Sequence, residues 1–225
     1  MKRSHIIIFI FIVFILGLTL LYGCSNPTGG GTNTSGSWSY VGSKDFSPGI
    51  ALFTCLYVYN GTPYVAFRDY AHAYHVTVMK FDGTWTVLGS SGELPGEPGT
   101  RGLAVDGGVP YVFYSRLDGG KANVVKYAGG AWQSVGAADF SDGGAWYGSL
   151  FIYAGVPYVA FEDEPHGDQA TVMKFAGGAW TAVGEPHFTA SAAQFTSLQV
   201  SDNMPYVAFK DYSSKKATVM RWVPE

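Results

Sequence analysis

The chain has 225 residues, of which 47% are hydrophobic and 14% are charged, and its formal net charge is −3. The hydrophobic share excludes a disordered chain, and the negative charge argues against a nucleic acid as a partner. Thirty Gly, fifteen Tyr and fifteen Phe are typical of many short strands joined by tight turns, so we expect an all-β protein.

The first 23 residues form a predicted export signal. A short positive stretch precedes an almost unbroken run of Ile, Phe, Val and Leu over residues 6–21, which is the pattern of a secretory leader. The run ends in Leu-Tyr-Gly-Cys at Cys24, which resembles the lipobox of bacterial lipoproteins. The resemblance implies cleavage before Cys24, acylation of this cysteine by a fatty acid such as palmitate, and a lipid-anchored place in the bacterial cell envelope, facing the periplasm or the exterior. A transmembrane anchor and a plain secretory leader are the alternatives.

Residues 24–37 are the lipidated cysteine and a predicted flexible tether. The stretch after Cys24 is rich in Gly, Ser and Thr and offers no apolar side chain to bury. The folded domain is therefore predicted over 38–225. Cys55 is the only other cysteine, so we expect no internal disulfide, and its place in a predicted buried strand indicates an inert thiol.

A repeat organises the domain. Its tryptophans follow one another at intervals of 47, 47 and 48 residues: Trp38, Trp85, Trp132 and Trp180. A Pro-Tyr-Val-Ala-Phe block recurs with them at 63–67, 110–114, 157–161 and 205–209, and a Thr-Val-Met-Lys-Phe block recurs further on. Internal repeats of this length are typical of propellers and solenoids.

Each repeat holds four short runs, A to D, which predict four antiparallel strands. In the first repeat they are 53–58, 64–67, 77–81 and 85–88, all rich in β-branched or aromatic residues. Turns rich in Gly and Asn join A to B and C to D, as tight hairpins require. Such units are typical of propeller blades, so we predict a four-bladed β-propeller with repeats at about 51–89, 99–136, 146–184 and 194–222.

The repeat consensus, PYVAF-x-D…ATVMKF-x-G…W-x-x-VG, resembles the propeller-like repeats of bacterial surface proteins that are loosely related to kelch and galactose-oxidase blades. The resemblance covers 38–222 and implies the architecture without an activity. The last repeat lacks its own D run, and we expect residues 38–42 to supply it and to close the ring. A fragment of a larger propeller, or two chains that form eight blades, are the alternatives.

Strand A is the innermost strand of a blade, and two of its repeat positions are informative. One position carries only small residues, as a narrow channel requires: Cys55, Gly102, Ser149 and Ser197. The position two residues earlier faces the same way by strand alternation and is expected to ring one mouth of the channel. Its residues are Phe53, Thr100, Tyr147 and Phe195.

The candidate ligand-binding residues belong to the face of the B–C and D–A loops, which are longer and differ between repeats. They are Tyr70, Arg101, Arg116, Tyr147, Glu162, Asp163 and Asp168. The acidic loop with Glu162 and His166 could hold calcium or perform acid–base work, or it is simply solvated. His72 and His75 are either zinc ligands or surface histidines. One repeat position after strand B predicts either a polar site or ordinary turn residues: Asp69, Arg116, Asp163 and Asp211.

The sequence contains no nucleophile motif, phosphate loop or paired cysteine ligands, so we predict no catalytic residue, cofactor or metal site. We expect a monomeric, membrane-tethered propeller that presents one loop face to a protein or glycan ligand without catalysis. The alternatives are a carbohydrate-active enzyme that uses Glu162, Asp163 or Asp168, and a purely structural envelope protein.

Overall fold

The computed structural model describes residues 36–224 and contains fifteen β-strands. The predicted signal, Cys24 and most of the tether lie outside the described residues. Within 36–224 the helical segments are two 3-10 turns, Tyr70–His72 and Glu164–His166, and none has the length and apolarity that would let it cross a membrane. The all-β prediction is confirmed.

The strands follow the predicted order A to D within each repeat, and the set of strands from one repeat is called a blade below. Blade 1 comprises β1 (Ala51–Tyr59), β2 (Thr62–Asp69), β3 (His75–Phe81) and β4 (Trp85–Val87). Blade 2 comprises β5 (Gly96–Asp106), β6 (Val109–Arg116), β7 (Ala122–Ala128) and β8 (Ala131–Ser134). Blade 3 comprises β9 (Ala145–Tyr153), β10 (Val156–Asp163), β11 (Gln169–Ala176) and β12 (Ala179–Ala182). Blade 4 comprises β13 (Ala193–Ser201), β14 (Met204–Asp211) and β15 (Ala217–Arg221).

Equivalent residues of the blades pair in the same register. Strands A and B are antiparallel, with Cys55 opposite Ala66 in blade 1 and Ser197 opposite Ala208 in blade 4. Strand B pairs with strand C in every blade, and strand C pairs with strand D in blades 1 to 3. The repeat in the sequence is therefore a repeat of structure.

Tight turns need a left-handed backbone, and the sequence supplies residues that tolerate it. Asn60 and Gly61, between β1 and β2, have φ angles of 46° and 79°. Gly129 and Gly130, between β7 and β8, have φ angles of 62° and 84°. Positive φ at both central residues is the geometry of a type I′ hairpin, whose twist matches that of the flanking strands. These turns fix the register of each hairpin.

The hydrophobic core lies between the blades. Three buried clusters fill the junctions of blades 1 and 2, 2 and 3, and 3 and 4. Strand B contributes to two of them at once, because Phe161 of β10 packs in the cluster with blade 2 while Tyr158 packs in the cluster with blade 4. The A strands β5 and β9 run parallel and meet at Arg101 and Ser149, so blades 2 and 3 join in one curled eight-stranded sheet.

Blade 4 has three strands, because residues 36–50 form no strand in the part of the chain that the structure describes. The segment before β1 is anchored on blade 1: Trp85 Nε1 donates to the Val41 carbonyl oxygen at 2.8 Å, and Phe46 stacks on Trp85 with ring centroids 4.0 Å apart. Apolar side chains stay exposed on both end blades, among them Leu56 and Val219. Pairing of residues 38–42 with blade 4, and with it a closed ring of four blades, is not confirmed.

Candidate functional site

One residue from strand A of each blade contributes to a common cleft, which we call the channel mouth: Phe53, Thr100, Tyr147 and Phe195. Strand A has a register shift at this point in every blade. Such β-bulges re-aim a side chain out of the normal alternation. The four residues predicted from the sequence therefore do line one cleft. Their side chains are directed there by β-bulges, whereas the prediction assumed regular strand alternation.

Three of these residues hold a backbone conformation that aromatic residues rarely adopt. The φ angle is 51° at Phe53, 47° at Tyr147 and 59° at Phe195. A left-handed conformation at a bulky residue costs on the order of 1–3 kcal/mol and persists only where the surrounding structure imposes it. Strain of this kind concentrates at ligand-binding and catalytic sites. Its recurrence at one repeat position marks the channel mouth as the first candidate for a functional surface.

The rings form an exposed aromatic surface. Tyr147 and Phe195 pack with centroids 4.5 Å apart at an interplanar angle of 57°, and Phe53 is 59% exposed. The cleft has a volume of about 170 Å³. Its remaining lining residues are Thr54, Glu97, Pro98, Gly99, Ser115 and Trp146.

Polar groups lie beside the aromatic surface. Arg68 Nη1 donates to Glu97 Oε2 at 3.0 Å, and both side chains are partly buried, which strengthens the pair relative to one in open water. Glu97 is the one carboxylate among the described residues that line the cleft. Arg101 Nη1 donates to Ser197 Oγ at 2.7 Å, which links blade 2 to blade 4. The cleft thus offers apolar faces next to charged and hydroxyl groups.

Glu162 is a buried carboxyl on β10. Its Oε2 has no hydrogen-bond partner among the described residues. Burial, and to a smaller degree the nearby Asp168 carboxylate, raises the pKa of Glu162 to about 7. Glu162 does not line the cleft, so the predicted acid–base candidate and Glu97 do not face one another across it.

Asp163, at the end of β10, is the centre of a second group of side chains. Its Oδ1 lies 3.1 Å from His166 Nδ1, and its Oδ2 lies 3.0 Å from both His187 Nε2 and Thr171 Oγ1. The rings of His166 and His187 stack with centroids 3.6 Å apart. The predicted acidic loop is therefore organised around one buried carboxylate, with two imidazoles as its partners.

Two other predicted ligand-binding residues lie apart from the cleft. Arg116 donates to both carboxylate oxygens of Asp118 at 2.8 Å and lies 3.7 Å from Asp139. The two carboxylates raise the pKa of Arg116 further above its usual range, with Asp118 contributing most. Tyr70 is exposed and meets Tyr74 edge to face at 4.9 Å. Of the predicted ligand-binding residues, Tyr147 is the one that lines the channel mouth.

The two histidines of blade 1 do not converge. His72 Nδ1 lies 2.8 Å from Asp69 Oδ2, whereas His75 Nδ1 lies 2.9 Å from the Gly92 carbonyl oxygen. At two of the four repeated polar positions the aspartate caps its own turn, because Asp69 accepts from Ala71 N and Asp211 accepts from Ser214 N.

Sequence reasoning did not single out His187, Glu97 or Trp146. His187 lies 24 residues from Asp163 in a different loop, so no local motif joins them. Aligning the repeats could have found His187, because it occupies the position of Gly92 in blade 1. The backbone N–H of His187 donates to Thr171 Oγ1 as that of Gly92 donates to Thr77 Oγ1. A histidine thus stands in blade 3 where blade 1 has a glycine.

No family model and no curated protein matches this sequence, but solved structures resemble it. The GH43B protein of a Bacteroides ovatus xyloglucan PUL aligns with a TM-score of 0.51 and 12% identity, over 77% of this chain and 39% of that chain. A subtype N10 neuraminidase-like protein of A/little yellow-shouldered bat/Guatemala aligns with a TM-score of 0.52 and 13% identity, over 76% of this chain and 55% of that one. The fold is β-propeller-like.

This propeller-like chain spans about two fifths of the length of the GH43B protein and just over half of the neuraminidase-like protein. At such identities the likeness concerns the fold alone, because one fold hosts many unrelated functions.

Proposed function

We propose that the channel mouth binds a glycan, with one sugar ring packed against Phe53, Tyr147 and Phe195. One face of a sugar ring carries C–H groups that pack on aromatic rings, while its hydroxyl groups hydrogen-bond to planar carboxylate and guanidinium groups. The cleft supplies both kinds of surface, because the Glu97 carboxylate lines it together with the rings and is held by Arg68. The observation that carries the proposal is the strained backbone repeated at the three aromatic residues.

The size of the cleft limits the ligand. Its volume of about 170 Å³ is below the roughly 300–1,000 Å³ of pockets for drug-sized ligands. A single ring, such as the end of a glycan chain, suits this volume better than a long internal segment. The remainder of a longer glycan would lie on the surrounding loops.

The positions of the carboxylates favour binding of a glycan without its hydrolysis. A glycosidase of the usual kind needs two carboxyl groups that face one another at about 5–10 Å across the scissile bond. Among the described residues, Glu97 is the one carboxylate that lines the cleft, and it is paired with Arg68. Glu162 and Asp163 are buried outside it.

A carbohydrate-active enzyme is the second candidate. The name GH43B belongs to a glycoside hydrolase family, and the fold likeness to that protein makes hydrolysis worth measuring in the same experiment. Glu162 is the residue on which the enzyme alternative depends, because its carboxyl is buried and lacks a partner for Oε2.

Glycan-array binding of the purified chain tests the proposal. We expect selective binding that Tyr147→Ala and Phe195→Ala weaken by roughly tenfold each, since anchor aromatics typically contribute 1–2 kcal/mol or more. Asn60→Ala, in a turn between strands A and B, is the control and should bind as the wild type does. Equal binding by the wild type and the three variants would exclude the channel mouth as the glycan-binding site. Release of sugar that depends on Glu162 would favour the enzyme alternative.

We also propose that the protein is held on a membrane of the cell envelope through lipid on Cys24. The support is the leader sequence with its Leu-Tyr-Gly-Cys end. More than one acyl chain would be needed for stable attachment, because a single chain binds a bilayer only marginally. The channel mouth would then meet glycans at a membrane surface.

Ring closure by residues 38–42 is the third part of the proposal. A cavity of about 160 Å³ lies between blades 3 and 4. Its walls include Val172, Val183, Phe188, Val207, Met220 and Trp222. The repeat equivalents of these residues surround Trp180 one blade earlier, where Trp180 Nε1 donates to the Val135 carbonyl oxygen at 2.7 Å and the indole stacks on Phe140 at 4.4 Å.

Trp38 is the repeat equivalent of Trp180 for blade 4. In the closed ring its indole would fill the cavity, stack on Phe188 and donate to the Val183 carbonyl oxygen. The segment after Trp38 supports this proposal, since Val41 and Phe46 contact Trp85 as Val135 and Phe140 contact Trp180. Closure would also cover the exposed apolar edge of blade 4.

A further inference from the structure

The side chains of Asp163, His166 and His187 converge at the junction of blades 3 and 4. One donor atom from each lies within 4.8 Å of the other two, and the two nitrogens lie 3.1 and 3.0 Å from the Asp163 oxygens. Donors bonded to one tetrahedral zinc ion at about 2.0–2.2 Å lie on the order of 3.3 Å apart. Small side-chain rotations would therefore bring the three groups to metal-bonding positions.

The Asp163 carboxylate is oriented by a hydrogen bond from Thr171. Thr171 Oγ1 donates to Asp163 Oδ2 at 3.0 Å, and the same hydroxyl oxygen accepts the backbone N–H of His187 at 3.1 Å. This hydroxyl thus positions two of the three groups together. Outer partners of this kind fix the direction of metal ligands and are a regular part of metal sites.

Blade 1 contains the same arrangement without the third group. Asp69 binds His72 at 2.8 Å and Thr77 at 2.9 Å, in the positions of Asp163, His166 and Thr171. Gly92 stands there in place of His187 and likewise donates its N–H to the threonine. An Asp–His–Thr triplet is thus shared by blades 1 and 3, and the second imidazole is present only in blade 3 of these two.

We propose that Asp163, His166 and His187 bind a divalent first-row transition metal ion such as Zn²⁺. Two imidazoles and one carboxylate suit zinc and its neighbours in the periodic table, whereas calcium and magnesium prefer oxygen ligands alone. The histidine side chains are 36% and 25% exposed, so a fourth position is open to water or to a ligand group. Because the ligands come from two loops, the ion would join the B–C loop of blade 3 to the segment that leads into blade 4.

Zinc titration of the chelator-treated full chain tests this proposal. We expect one saturable site in the wild type, with a rise in melting temperature on adding Zn²⁺ and no competition from excess Ca²⁺. His187→Gly should lower the Zn²⁺ affinity by about 100-fold or more, because even outer partners of metal ligands typically contribute 10–100-fold. Glycine is the suitable replacement, since His187 has a φ angle of 55° that glycine adopts freely.

His72→Ala is the matched control, because it removes the equivalent histidine from the triplet that lacks a third group. This variant should bind Zn²⁺ as the wild type does, while His166→Ala should lose the site as His187→Gly does. An unchanged affinity in His187→Gly, or the absence of a saturable Zn²⁺ site in the wild type, would overturn the proposal. The cluster would then be a hydrogen-bonded structural group.

Discussion

Tyr147 and Phe195 occupy the same repeat position in neighbouring blades, and their rings pack 4.5 Å apart although both residues have a left-handed backbone. The contact is one that strand alternation alone would not produce, since it depends on a β-bulge in β9 and another in β13. Two aromatic residues in costly backbone conformations thus form one surface at the channel mouth. The predictions that concern the channel mouth follow from this cost.

Relieving the backbone strain at Phe195 should raise the free energy of unfolding without restoring glycan binding. Phe195→Gly should be more stable than Phe195→Ala by about 1–2 kcal/mol, because a left-handed residue with a Cβ costs about that much and glycine does not. Both variants should bind the glycan roughly tenfold more weakly than the wild type. Chemical unfolding gives the free energies of unfolding.

The same pair of substitutions at Gln199 is the control for strain. Gln199 is exposed on the same strand and is not among the residues with positive φ, so the glycine variant should there be the less stable by about 0.5–1 kcal/mol. The same order of stability at both positions would mean that Phe195 is not strained.

Ring closure predicts a cost for losing the N-terminal segment. Deleting 38–42, or the single change Trp38→Ala, should destabilise by about 3–5 kcal/mol, the usual cost of removing a buried indole. Trp180→Ala in a complete blade is the positive control. Trimming 25–37 should leave the melting temperature unchanged, and equal effects of the two deletions would refute closure.

The B–C turn of blade 4 should make stability depend on pH. The Ser214 N–H, then the hydroxyls of Ser213, Ser214 and Ser191, hold the pKa of Asp211 well below its usual range. A depressed carboxyl pKa stabilises the fold above the unfolded pKa of about 3.9, and this contribution is lost as the pH falls through the folded value. Asp211→Asn should therefore melt lower than the wild type at pH 7.

The gap in melting temperature between Asp211→Asn and the wild type should shrink as the pH falls below about 4. Asp202→Asn is the control, because the Asp202 carboxylate accepts a single long bond of 3.4 Å from Ser201. A gap that is constant from pH 7 to about 2 would show that the charge of Asp211 does not contribute.

Lipidation predicts a processing defect. Cys24→Ala should remain uncleaved and should not incorporate radioactive palmitate in growing cells, whereas Cys55→Ala should be processed and labelled as the wild type is. Labelling of the Cys24→Ala protein would contradict the lipoprotein assignment.

The repeat made most of the fold predictable from the sequence. Glycines and asparagines at the hairpin turns mark strand ends directly, since few other residues adopt their φ angles, and the four predicted runs of blade 1 match β1 to β4 within a few residues. The state of residues 38–42 could not be predicted in the same way, because strand D of blade 4 depends on contacts between the two ends of the domain.

The candidate sites were only partly predictable. Phe53, Tyr147 and Phe195 were found by their repeat position, but their left-handed backbone leaves no sign in the sequence, since nothing distinguishes a bulged aromatic residue from a regular one. Burial of Glu162 was missed because a run of acidic residues normally indicates a solvated loop. His187 was missed because it reaches Asp163 from another loop.

Hydrogen exchange with a bound glycan tests the central claim most directly. The amides of strand A around Phe53, Tyr147 and Phe195 should gain protection when the ligand found on the array is added, with smaller gains in the neighbouring B–C and D–A loops. The hairpin turns at Asn60 and Gly129 should be unaffected. Protection confined to those turns, with none at the channel mouth, would place the binding surface on the opposite face and contradict the account.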